Sequence, residues 1–287
     1  VSGAAAVSPL PSTEQAALTF IALAATVALP VYLLVFRPAS PRGVWGLGEI
    51  AGVALLFIPL YLVLAVSLNL VGYPGGAESS RPLTIVPFTI ITIVQNAAFV
   101  GLSAYVVAVR YRLPVRRLGL HLDRLRRHLA AGLAVTAAVV PVSFASERLA
   151  IFLLGLLTGP DAARARAALE HLQDPLRPML QSSAGLSFAP LILALLAVVV
   201  PIGEEVFFRG LVYGGLRLRW GVAAGALASA AFFAAVHTQL VHALPIFALG
   251  LVLAIVYERS GSLVPGMVAH GLNNVVAVLS IWRGWTL

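Results

Sequence analysis

The chain has 287 residues, 60% hydrophobic and 10% charged, with a mean hydropathy of +0.97, against roughly 25% charged in a soluble domain. A soluble globule is excluded. The net charge of +8 rests on arginine with no lysine, and the absence of cysteine removes disulfides, thiolate metal sites and cysteine nucleophiles together.

The apolar stretches between charges are long enough for helices of about 20 residues to cross a hydrocarbon core. The expected fold class is therefore all-α, a polytopic transmembrane helical bundle of about eight spans. The Ser/Pro-rich start has no basic residue before the first apolar run, unlike a cleavable signal peptide, so that run is read as a retained span. Spans are expected at Ala16 to Phe36, Ile50 to Leu70 and Leu83 to Val109, then from Leu129 on towards Leu157 through Glu147 and Arg148. From Thr158 to Ser187 the chain turns polar. Asp161 is placed to cap a short helix that ends before Pro175 and Pro178, an interfacial segment or lid. A fifth span begins near Phe188, followed by Val222 to His237, Val241 to Tyr257 and Leu263 to Trp282. The reading is one integral membrane domain, with N-terminal spans and a polar lid over residues 1–187 and a catalytic helical core over 188–287.

Seven arginines lie between Arg110 and Arg127. Between apolar spans, such a loop reads as an orientation signal and an anionic-lipid contact rather than a nucleic-acid surface. Eight spans put both termini on one side. Arg37, Arg42, the seven loop arginines, Arg217, Arg219 and Arg259 fall opposite Arg81, Arg164, Arg166, Arg177 and Arg283, 12 against 5, which places both termini outside the cytoplasm.

Ionisable side chains inside spans cost at least ~2.5 kcal/mol each at the bilayer centre, so they are candidates for function. The fifth span holds Glu204, Glu205 and Arg209. Glu205 and Arg209 stand at i and i+4 and can neutralise each other along one face. Glu204 is left without a partner. The hairpin marked by Trp220 and Gly221 supplies one. Glu204 lies 16 residues before Trp220 and His237 lies 17 after it, so at 1.5 Å rise both sit about 24 Å from the turn, provided the fifth helix continues past Arg209. In the last span His270 and Asn274 share a face one turn apart, whereas Asn273 points elsewhere. Two chemistries are open to these residues. A Glu and a His can deprotonate a water while a His and an Asn donate to the oxyanion, or two His and a carboxylate can hold a catalytic metal.

Glu204-Glu205-x-x-x-Arg209, Phe233-x-x-x-His237 and His270-x-x-x-Asn274 together resemble the motifs of the CPBP intramembrane proteases, which include the type II CAAX prenyl endopeptidases and the bacterial Abi, or bacteriocin-processing-like, proteins. The resemblance covers about Phe188 to Asn274. It implies an intramembrane endopeptidase that cuts a membrane-tethered protein or peptide, with Glu204 and His237 activating water and His270 and Asn274 forming the oxyanion site. Glu205, Arg209 and Phe233 are then supporting residues. No cofactor is required on this reading; the alternative is a divalent metal such as zinc on Glu204, His237 and His270. A non-hydrolytic bacteriocin-immunity protein and a proton-coupled transporter are the competing functions. The Arg-only, Ala/Val/Leu-rich composition points to a bacterial plasma membrane and away from prenylated substrates.

The remaining polar residues take structural readings. His242 is placed at the interface, His121, His128 and His171 in solvent, Gln95 and Asn96 in interhelical hydrogen bonds, Glu147 with Arg148 in a structural pair, and Trp282 and Trp285 in an aromatic belt.

Overall fold

The computed structural model describes residues 24–40, 44–71, 85–173, 176–181 and 187–283. Every regular element among them is helical. In chain order these are α1 (Ala24–Phe36), α2 (Leu47–Leu70), α3 (Ile85–Ala104, widening into a π turn over Tyr105–Arg110), α4 (Leu125–Thr158), α5 (Pro160–Gln173) and α6 (Leu176–Gln181). Then follow α7 (residues 189–220), α8 (residues 222–235), α9 (Ala243–Ser260) and α10 (Val264–Arg283). Six apolar helices are long enough to span a bilayer, one of them the 47-residue Ala189–Ala235.

That long helix is two spans. At Gly221 the backbone has φ 83° and ψ 172°, a conformation that a side chain strongly disfavours, and the chain reverses there. Beside it, Gly225 lets the backbone of Arg217 approach so closely that a Cβ would meet its N at 2.7 Å. Counting α7 and α8 separately and adding the shorter α1 gives the eight expected. The Leu129 to Leu157 stretch is one continuous helix from Leu125, unbroken by Pro141, Glu147 or Arg148. The sixth span stops at Ala235, two residues short of His237. The first span is described only from Ala24, and Pro175 and Trp285 lie outside the described residues. Asp161 does not cap α5: it sits inside the first turn after Pro160, exposed, 3.5 Å from Arg164. Pro178 lies within α6.

The bundle is built around α7, which α3, α8, α9 and α10 surround. α10 also packs along α4, and α4 turns its outer face, with Leu133, Phe152 and Leu157, away from the protein. In a bilayer these residues face acyl chains, which are as apolar as they are. The arginine-rich loop folds back on the bundle. Gly119, at φ 89°, lies under the Tyr257 ring, and its carbonyl accepts the Leu263 N–H at 2.9 Å. Arg110 is not free to contact lipid headgroups as the loop reading expects. It is buried against Glu49 at 3.1 Å and donates to the Leu34 and Arg37 carbonyls at 2.6 Å each, fastening α1 and α2 to α3.

One close helix crossing depends on glycine. At Gly271 a Cβ would overlap the backbone carbonyl of Ala197 on α7, whereas at Gly101 it would meet nothing within 4 Å. Gly271→Ala is expected to lose about 1–3 kcal/mol through forced backbone displacement, and Gly101→Ala to be unchanged or slightly stabilised. Thermal unfolding of the two purified variants in detergent checks this.

Candidate active site

The site begins with a proline. Pro201 has no N–H to offer the carbonyls of the preceding turn, and α7 widens there into a π turn over Leu195–Val199. The Leu196 carbonyl takes a side-chain donor instead, Asn274 Nδ2 of α10, at 2.9 Å. A second, longer π stretch covers Glu205–Tyr213, every residue of it buried. Its carbonyls also find donors on neighbouring segments: Ser229 Oγ donates to Phe208 O at 3.0 Å and Trp45 Nε1 to Leu211 O at 2.7 Å. π segments are frequent at functional sites. Here the widened helix is held open by side chains from three directions.

Within that stretch Glu205 is fully buried and Arg209 nearly so. Arg209 Nη1 donates to Glu205 Oε1 at 2.9 Å, Nη2 to the Gly250 carbonyl at 3.3 Å, and the guanidinium lies 4.5 Å from the centre of the Phe233 ring. Glu205 Oε1 accepts a second hydrogen bond, from Nδ1 of His270, at 3.0 Å. The other nitrogen of that ring, Nε2, faces Glu204 Oε2 at 3.6 Å. One imidazole thus stands between two carboxylates. Close approach of α10 at this level is possible because Gly266 faces Glu205 Oε2, where a Cβ would sit 3.1 Å away.

Phe233 of α8 stacks edge-on against Phe208 at 4.8 Å and against His237 at 4.8 Å, and lies 5.9 Å from the His270 ring. Since Phe233 is level with Phe208 and Arg209, one turn deeper on each helix brings His237 towards the level of Glu204 and Glu205. His237 sits in the turn after α8 with Nδ1 2.7 Å from the Phe233 carbonyl. A carbonyl only accepts, so Nδ1 carries the proton and Nε2 presents a lone pair. His237 forms no ion pair with Glu204 among the described residues. The structure therefore joins Glu204, Glu205, Arg209, Phe233 and His270 directly. It sets His237 against Phe233, and gives Asn274 a first partner in Leu196.

One set of three His, Asp or Glu ligand atoms within 4.8 Å of one another occurs among the described residues, and it is Glu147, His171 and His242. Glu204, His237 and His270 do not form such a set among the described residues. The Glu147 cluster corrects two structural readings. His171 is not solvated but lies 3.2 Å from the buried Glu147, and His242 lies 3.8 Å from the same oxygen. Glu147 turns to these imidazoles rather than to Arg148. A signal for this was present: Glu147 stands 12 residues before Gly159 and His171 stands 12 after it, the same hairpin symmetry that relates Glu204 to His237. Asn96 also departs from expectation. Its Nδ2 donates within its own helix to Thr92 O at 2.8 Å, and its side chain fills the space that Gly203 leaves open. Trp282 is anchored by donating to the Leu180 carbonyl at 2.9 Å.

Residues 186–276 match the family described as type II CAAX prenyl endopeptidase Rce1-like. They carry all three motifs. The match covers about a third of the chain. The Bacillus subtilis (strain 168) protein named "Putative membrane peptidase YdiL" is 31% identical over 90 residues, 31% of this chain and 37% of that protein. The match thus spans little more than a third of the relative's length. No solved structure gives a significant match. With its apolar helices the Rce1-like region marks an integral membrane protein, and the bacterial relative points to the plasma membrane.

Removing one partner of the buried Glu205–Arg209 pair leaves a charge without compensation in an apolar interior, which costs about 3–5 kcal/mol. Arg209→Met is therefore expected to lower the unfolding midpoint sharply, and Arg209→Met with Glu205→Gln to recover part of the loss. Denaturant titration of both variants in the same detergent measures the difference.

Proposed function

We propose that the chain is an intramembrane endopeptidase that hydrolyses a peptide bond of a membrane-associated protein or peptide through water activated by Glu204. The observation that carries this reading is the nearly buried Glu204 carboxylate 3.6 Å from His270. It stands beside an Arg209–Glu205 pair that already neutralises the neighbouring acid. The match of residues 186–276 to a peptidase family supports it.

In the proposed reaction Glu204 takes a proton from water, and the hydroxide attacks the carbonyl carbon of the scissile peptide. The Nε2 lone pair of His237 accepts a hydrogen bond from that water and orients it. The carbonyl oxygen becomes an oxyanion that receives the second N–H of Asn274 Nδ2, the first being engaged by Leu196 O. His270, as an imidazolium, donates from Nδ1 to Glu205 and from Nε2 to the same oxyanion. Collapse of the tetrahedral species breaks the C–N bond, and Glu204 returns its proton to the leaving amine. Each proton is accounted for by the chain's own side chains and one water. Residues 188–287 would form the catalytic core, and α5 with the preceding spans a lid and substrate surface. The substrate is a membrane-tethered peptide or protein, and the lipid bilayer presents it.

Glu204→Gln keeps the shape and removes the base. It is expected to fold and insert as the parent does while losing at least 100-fold in cleavage, in line with the roughly 10²–10⁴-fold contribution of general acid–base groups. A reconstituted assay with a fluorogenic peptide joined to a membrane anchor reads the loss. Unchanged turnover in the folded variant would overturn the proposal. An immunity-type role that acts by binding would survive the substitution.

A further inference from the structure

Away from Glu204 and His270, a cavity of about 240 Å³ opens between α4, α5, α9 and α10, with Ser143, Gln239 and Asn273 on its wall beside Glu147, His171 and His242. Three separate elements bring those last three residues together: the middle of α4, the last turn of α5 and the loop that follows His237. The Glu147 side chain is more than nine-tenths buried, yet its Oε1 accepts no hydrogen bond although His171 Nε2 is only 3.2 Å away. A buried carboxylate oxygen left in this way is costly unless something else occupies it.

The distances have a natural explanation. Two ligands about 2.0–2.1 Å from a tetrahedral metal lie roughly 3.3 Å from each other. Glu147 Oε1 is 3.2 Å from His171 Nε2 and 3.8 Å from His242 Nε2, and all three ligand atoms lie within 4.8 Å of one another. The His242 ring has a carboxylate near its far side, short of a hydrogen bond. Its Nδ1 faces Glu170 Oε2 at 3.5 Å, and Glu170 is itself fixed by the Val241 N–H at 2.9 Å, the Leu240 N–H at 3.2 Å and Arg166 Nε at 3.1 Å. A carboxylate fixed in this way can accept from a ligating imidazole and orient it.

We propose that Glu147, His171 and His242 bind a divalent transition metal of the zinc type, which pins α5 to the loop after His237. Two neutral imidazoles and one carboxylate, with Arg177 on the cavity wall, carry no surplus negative charge. That disfavours magnesium and calcium, which require several oxygen ligands, and favours zinc or cobalt. The fourth position faces the cavity and takes water. The site is separate from the proposed proteolytic centre and holds whether or not that reading does.

The test uses tag-free full-length protein, stripped with chelator in detergent and titrated with zinc and cobalt(II). One zinc per chain, a tetrahedral cobalt visible spectrum and a raised unfolding midpoint are expected for the parent chain. Glu147→Gln and His242→Ala should each weaken zinc binding at least tenfold and abolish the cobalt spectrum. Glu170→Gln should weaken zinc binding by about 10–100-fold, as loss of an orienting partner does. His171→Ala lies on partly exposed α5 and keeps the test open if a substitution at Glu147 prevents folding. His121→Ala, outside the cluster, should keep full stoichiometry. The proposal is overturned if the parent chain binds no zinc, if the cluster variants bind it unchanged, or if binding disappears only with Glu204→Gln.

Discussion

The site depends on one constraint: an arginine, two glutamates and a histidine have to be kept in a place from which lipid has excluded water. In such surroundings an unpaired charge is costly and a paired one still has to recover its desolvation. Arg209 meets this with an ion pair to Glu205, a hydrogen bond to the Gly250 carbonyl and the Phe233 ring face. Glu205 then accepts from His270 with the same oxygen that Arg209 holds. Three helices, α7, α9 and α10, are committed to one another by these contacts. Glu204 is the next residue along and is not consumed by them, so the network that makes the interior tolerable also leaves one carboxylate facing an imidazole.

The widened geometry of α7 belongs to the same constraint. A regular α-helix satisfies its own carbonyls and has nothing to offer its neighbours. Where Pro201 interrupts the ladder, and along Glu205–Tyr213, carbonyls at Leu196, Phe208 and Leu211 are taken up by Asn274, Ser229 and Trp45. Irregular backbone at membrane depth is tolerated only when protein groups satisfy it. These three donors come from α10, α8 and the segment before α2, so they also fix how those elements stand against α7. Asn274 consequently has a structural bond from one N–H that holds the other in a defined direction.

Much of this was legible in the sequence, and the residues show why. Charge spacing gave the spans because the cost of burying a charge in hydrocarbon leaves few places for one. The Glu205–Arg209 pair followed from helical spacing, and the turn at Trp220 and Gly221 from its arginines and glycine. What escaped were contacts between residues remote in sequence with no local mark. Nothing near Asn274 announces Leu196 as its partner, and the widening at Pro201 requires knowing which carbonyls it deprives. Asp161 looked like a cap because Asp is a good one, but Pro160 already starts the helix. His171 looked solvated because its segment is polar, a property of the segment and not of the side chain.

The two carboxylate–imidazole groups illustrate how similar residues reach different chemistries. At His270 both ring nitrogens face carboxylates, and Arg209 lies beside the inner one. Arg209 pairs directly with one of the two carboxylates there. At His242 one ring nitrogen faces Glu170, already saturated by two backbone N–H groups and Arg166, while the other approaches a Glu147 oxygen that accepts no hydrogen bond. Here Arg177 lines the same cavity, and no ion pair joins it to Glu147 among the described residues. Residue type is shared by the two groups; the position of arginine separates them. It sits in contact with the glutamate at the first and with only the outer, orienting glutamate at the second.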